Sequence, residues 1–152
     1  MTSFKNKIMN YLLTKKQKTA MKMKITFDGG KKINAEFKGF TVRTDQNPKA
    51  GGEGTAPEPF QYFLSSIGTC AGVYVLGFCE SRKIPVEGIE IEQSLVYDTV
   101  LKRISTIKLE IKVPEDFPPK YHNAIIKAVN SCAVKKTIQD PPDFETFTSV
   151  KS

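Results

Sequence analysis

Two hydrophobic periods alternate along the chain. Met21 to Phe27 interleaves lysine with apolar residues, the period-two pattern of a strand. Asp28-Gly29-Gly30 then signals a hairpin turn. Ile33 to Lys38 and Phe40 to Thr44 read as two further strands with Gly39 between them, and the proline- and glycine-rich stretch 45–57 reads as a loop. From Pro59 to Cys79 there are 21 residues without a charge. That length satisfies the rule for a membrane span. However, Gln61, Ser65, Ser66 and Thr69 interrupt it and a proline opens it, so it is expected to be a core helix buried on nearly every side. Gly68 and Gly72, four apart in a small or polar stripe with Gln61, Ser65 and Thr69, would admit a second helix closely. A helix this apolar in so short a chain implies that a second subunit shares the core.

Glu87 to Asp98 and Ile104 to Val113 alternate again, and Lys102-Arg103 at the start of the second makes them a hairpin. Pro118-Pro119 opens a helix whose apolar face is Tyr121, Ile125, Ala128 and Val129. Asn130-Ser131 signals a cap before Cys132, a short helix covers Ala133 to Ile138, and a last strand is expected over Phe144 to Val150. The order β-β-β-α-β-β-α-α-β is an α+β pattern, with two- to three-stranded sheets wrapping a long central helix.

Charge changes the picture at one end only. Residues 1–24 carry seven lysines and no acid, so the 23 basic and 16 acidic groups of the whole chain leave 16 of each sign in residues 25–152. Residues 1–20 are therefore read as a basic arm and residues 21–152 as the folded domain. Phe4, Ile8, Tyr11 and Leu12 give the arm a helical stripe from Ser3 to Lys18, but its apolar run is too short for a signal peptide. The balanced body offers no basic face to nucleic acid, and none is expected as a partner. Three cysteines are too few for a disulfide scaffold, and the single histidine, His122, rules out a multi-histidine metal site within the chain. The expected location is the cytoplasm.

Each cysteine has its own context. Cys79 lies nine residues beyond Cys70, which on a straight helix turns it to the opposite face among Val75, Leu76 and Phe78. Cys132 falls at a helix start, where free backbone N–H groups favour a thiolate, with Lys135 and Lys136 following. A redox pair would therefore be Cys70 and Cys132, although spacing alone does not bring them together.

The stretch from Ala56-Pro57-Glu58-Pro59-Phe60-Gln61 through Ile67-Gly68-Thr69-Cys70 resembles the signature of the osmotically inducible protein C and organic hydroperoxide resistance family. Ser131-Cys132-Ala133-Val134 resembles its second cysteine element, and Gly39-Phe40-Thr41-Val42-Arg43 is similar to the segment carrying its arginine. The resemblance covers about residues 22–150. It implies an intertwined homodimer that reduces organic hydroperoxides without a metal or other cofactor and is recycled by a dithiol reductant. Cys70 would be the peroxidatic thiol, Cys132 the resolving thiol, and Arg43 the cation that lowers the pKa of Cys70. Phe60 and Gln61 stand where the family has an acidic pair, and they are candidates for the substrate pocket. The alternative reading is a dimer of the same fold that binds a small apolar ligand, or senses redox state, without turnover.

Overall fold

The computed structural model describes residues 21–151. The expected basic arm and its helix lie outside the described residues. The chain separates into two compact units at the junction of Glu58 and Pro59.

In the first unit, β1 (Lys24–Phe27), β2 (Ile33–Phe37) and β3 (Phe40–Thr44) form an antiparallel sheet in that order. Between β2 and β3, Lys38 and Gly39 both take positive φ, 48° and 81°, and Phe37 pairs with Phe40 across them. Two successive left-handed residues make the turn whose twist matches that of the flanking strands. After β3 the chain coils around one buried acid. Asp45, 1% exposed, accepts hydrogen bonds from the backbone N–H groups of Gln46, Glu53 and Thr55 and from the Thr55 hydroxyl. Gly52 passes so close to the Gln46 carbonyl that a Cβ would lie 2.0 Å from its oxygen, so only glycine fits there.

The second unit is built on α1 (Pro59–Glu80). Proline at the first helical position lacks only an N–H that the helix would leave unbonded. The Ser65, Ser66 and Thr69 hydroxyls fold back onto the carbonyls of Tyr62, Phe63 and Ser65, which satisfies them without a tertiary partner. The helix ends where Lys83 turns left-handed (φ 55°) and the Ile84 N–H bonds back to the Cys79 carbonyl. Strands β4 (Glu90–Asp98) and β5 (Arg103–Lys112) form an antiparallel hairpin. A 3-10 turn over Pro119–Tyr121 then leads into α2 (His122–Asn130), and α3 (Ala133–Gln139) follows.

The core lies where α1 meets α2. Ala71, Val75, Phe78 and Cys79 of α1 pack on Phe117 and on Ile125 and Val129 of α2, with Ile91, Leu109 and Ile111 of the hairpin against them. Burial of each large apolar side chain there contributes about 1.5–3 kcal/mol. Tyr121 meets Phe78 edge-on, with ring centroids 5.7 Å apart.

Two expectations need correction. The long helix is not buried on nearly every side within one chain: Phe60, Phe63, Val73 and Leu76 stand exposed, because α2, α3 and one hairpin cover only part of its circumference. By length and composition α1 is apolar enough to cross a membrane, a test that packed core helices also pass. The strand expected over Phe144–Val150 does not form. Its apolar residues are 83–96% exposed, and alternation without a neighbouring strand to bond cannot make a sheet.

Candidate functional site

Cys70 and Cys132 come together in the second unit. Cys70 sits midway along α1, half-buried, on the side that α3 approaches. Cys132 is fully buried and occupies the N-cap position of α3, because Val129 anchors the end of α2 in the core and the chain reverses through Ser131. Its backbone N–H bonds to the Val129 carbonyl at 3.2 Å, and its carbonyl accepts the first helical bond of α3, from Lys136.

The Cys132 side chain makes no capping bond to its own helix. It stands near the Cys70 thiol instead, as do the backbone N–H groups of Val134 and Ala133. These neighbours hold the Cys70 thiol below its ordinary pKa: the Cys132 thiol contributes most, then the Val134 N–H, while partial burial opposes them and the Ala133 N–H adds to them. The sequence assigned the helix-start advantage to Cys132. The structure gives it to Cys70, because a residue at the N-cap lies beside the free N–H groups while a sulfur arriving from another helix lies in front of them. Lys135, expected to assist a thiolate, donates to the Asn130 side chain at 3.0 Å.

Cys79 behaves as its spacing indicates. It faces the core on the other side of α1, fully buried, and burial pushes its thiol up while the Arg82 charge acts in the opposite direction. All three cysteines are free thiols.

In the same unit a cleft of about 790 Å³ opens between the start of α1, the β4–β5 hairpin and the end of α3; neither cysteine lines it. Phe60 and Phe63, stacked with centroids 5.6 Å apart, form one wall. Of the two expected pocket residues, Phe60 lines this cleft; Gln61 is exposed on α1 and does not.

Arg43 lies on β3 of the first unit, exposed and opposite Asn34 in the register. In that unit Glu53 bonds Lys32 at 2.7 Å, and Glu58 accepts a hydrogen bond from Asn47. Sequence reasoning missed Asp45. A single acid between a strand and a glycine-rich loop was the available signal. Its carboxyl is lowered to about 2 from 3.8, chiefly by the Thr55 N–H, against the opposing effect of burial.

The family model described as OsmC-like protein matches residues 52–147. Comparison with curated protein sequences gave no significant match. Several solved structures share the fold. One, from Psychrobacter arcticus, is described as an osmotic stress induced and detoxification response protein; it is 18% identical, with a TM-score of 0.66 over 80% of this chain and 90% of that one. An OsmC-like protein from Mycoplasma pneumoniae is 14% identical, with a TM-score of 0.64 over 82% and 91%. An organic hydroperoxide resistance protein from Legionella pneumophila is 20% identical, with a TM-score of 0.51 over 82% and 92%.

Proposed function

Because the chain belongs to the OsmC-like protein family, we propose that it reduces organic hydroperoxides with two cysteines, Cys70 attacking and Cys132 resolving. The observation that carries this reading is that the two thiols, on α1 and at the start of α3, lie near each other, with the Cys70 pKa lowered by that neighbourhood. A thiolate is the nucleophilic form, and a resolving thiol must stand next to it.

The Cys70 thiolate attacks one peroxide oxygen. The O–O bond breaks, and the departing alkoxide takes a proton and leaves as the alcohol. Cys70 is then a sulfenic acid. Cys132 attacks its sulfur, expels the hydroxyl as water and forms a disulfide. The two electrons that reduce the peroxide come from the two thiols, and a dithiol reductant restores both by exchange. In this reading Arg43, matched by its segment, supplies the cation that orients the peroxide. The reaction runs in a homodimer in the reducing cytoplasm, with the exposed side of α1 covered by a second copy.

Thiol counting tests the reading. Reduced protein given cumene hydroperoxide should lose two of its three cysteine thiols and regain them with dithiothreitol. Three thiols surviving excess peroxide would favour the ligand-binding alternative, for which the apolar cleft at the start of α1 is the supporting feature.

A further inference from the structure

Ile91, Gln93 and Leu95 share one face of β4, in a row that begins at Ile89. Ile89 and Ile91 pack against the core, and Gln93 is the polar member of an otherwise apolar row. It is half-buried, opposite Leu109 in the register. Its carboxamide reaches across to α1, where Nε2 donates to the Leu64 carbonyl at 3.0 Å. In the helix that carbonyl also accepts the Gly68 N–H, and its two lone pairs serve both bonds.

The bond has a cost. Gln93 Oε1 is buried and has no hydrogen-bond partner among the described residues. Turning the carboxamide over would not relieve it, because Oε1 would then face the Leu64 carbonyl, acceptor against acceptor. A methionine would fill a similar volume with no unmet acceptor. An inward polar group that is only half satisfied breaks the rule for a stable core, and such breaches are expected where function is served. The helix is shaped to receive this side chain. A Cβ at Gly68 would lie 2.9 Å from Oε1, so an alanine there would push the carboxamide from its place.

Gly68 and Cys70 are two residues apart, a turn of about 200°, so the carboxamide and the thiol lie on nearly opposite sides of α1. Gln93 holds the helix from the hairpin, and Cys70 meets the start of α3 on the far side. The groups near the Cys70 sulfur are the Cys132 thiol and the Val134 and Ala133 N–H groups, all on α3 or on the residue that caps it. Their effect depends on where the sulfur sits, and a reacting group keeps its place only if the residues behind it are fixed. Without the bond to Leu64, α1 is freer to roll, and the sulfur spends less time facing those groups.

We propose that Gln93 is a positioning residue for Cys70: its carboxamide, bonded to Leu64 and set against Gly68, fixes the roll of α1 and with it the seat of the Cys70 sulfur before the start of α3. Its consequence for peroxide reduction rests on the two-cysteine reading; its effect on Cys70 itself does not.

The test is peptide-resolved iodoacetamide labelling of the reduced full chain across pH, without peroxide, with urea unfolding alongside. Gln93→Met removes the bond and keeps the volume. Its Cys70 midpoint should rise, and labelling near neutral pH should slow about threefold or more, the thiolate fraction lost when a midpoint rises by about half a unit. Cys79, in the core on the other side of α1, should label as in the natural chain. Gly68→Ala should shift Cys70 in the same direction by displacing the carboxamide. In a Gln93→Ala background, where that space is open, adding Gly68→Ala should leave the Cys70 midpoint in place. There it should also raise the urea midpoint more than it does in the natural chain, because alanine favours a helix over glycine. A Cys70 midpoint unmoved by Gln93→Met, or a Gly68→Ala shift of equal size in both backgrounds, would overturn the proposal. Cys79 becoming reactive together with Cys70 would overturn it too, since Gln93 would then support only the fold. Labelling that follows the expected pattern in a chain that consumes no cumene hydroperoxide would refute the peroxidase and leave the positioning role standing.

Discussion

Cys70 and Cys132, 62 positions apart in sequence, stand near each other across α1 and the start of α3. The neighbouring Cys132 thiol favours the charged form of Cys70, and two backbone N–H groups of α3 strengthen the effect. Alkylation of Cys70 should therefore reach half its limiting rate at a lower pH than an ordinary thiol. Cys132→Ala removes the largest contribution and should move that midpoint up. Peptide-resolved iodoacetamide labelling across pH measures both, with Cys79 as the internal contrast because burial raises its pKa. An unchanged midpoint in Cys132→Ala would show that the neighbouring thiol does not activate Cys70.

Asp45 makes acid stability sensitive to one side chain. Its folded pKa, about 2, lies below the ordinary 3.8, so the unfolded chain binds the proton more readily. The carboxylate contribution is fully present above about pH 4 and is lost as pH falls through about 2. Asp45→Asn should lower the urea midpoint at pH 5, and the gap from the natural chain should close toward pH 2. A gap independent of pH would mean that Asp45 acts by shape and not by charge.

The strands and helices were legible because each carries an apolar period of its own. Phe40–Thr44 has the same limits in sequence and structure, and the helix expected from Pro59 to Cys79 runs one residue further. Phe144–Val150 was over-read, since alternation records a tendency and a strand needs a neighbour to bond. The two cysteines were legible as candidates, but their meeting was not. It depends on Ile125 and Val129 pinning α2 to α1, so that the next turn delivers Cys132 to the long helix. Asp45 was hidden because its partners are mostly backbone N–H groups, which carry no sequence signature.

The exposed side of α1 should be an interface between two copies. Val73 is 66% exposed in the middle of the helix and Leu76 is 42% exposed. Gly72 has nothing within 4 Å of the position a Cβ would take, whereas Gly68 is already approached by Gln93. The glycine pair is thus divided, one facing its own hairpin and one left open. Light scattering should give about twice the 17.0 kDa chain mass. Val73→Lys should weaken association about tenfold or more, since it places a charge where apolar surface is to be covered. A natural chain of monomer mass at micromolar concentration would contradict the shared core.

The most direct test of the two-cysteine mechanism is intact-mass and peptide analysis after one equivalent of cumene hydroperoxide, with turnover followed in the presence of a dithiol reductant. The natural chain should lose two hydrogens as a Cys70–Cys132 disulfide and then turn over. Cys132→Ser should gain a single oxygen at Cys70 and remain blocked for disulfide formation within the chain. Cys70→Ser should consume no peroxide, and Cys79→Ser should behave as the natural chain. Peroxide consumption by Cys70→Ser at the natural rate, or a natural chain whose Cys70 stays a free thiol, would contradict the mechanism.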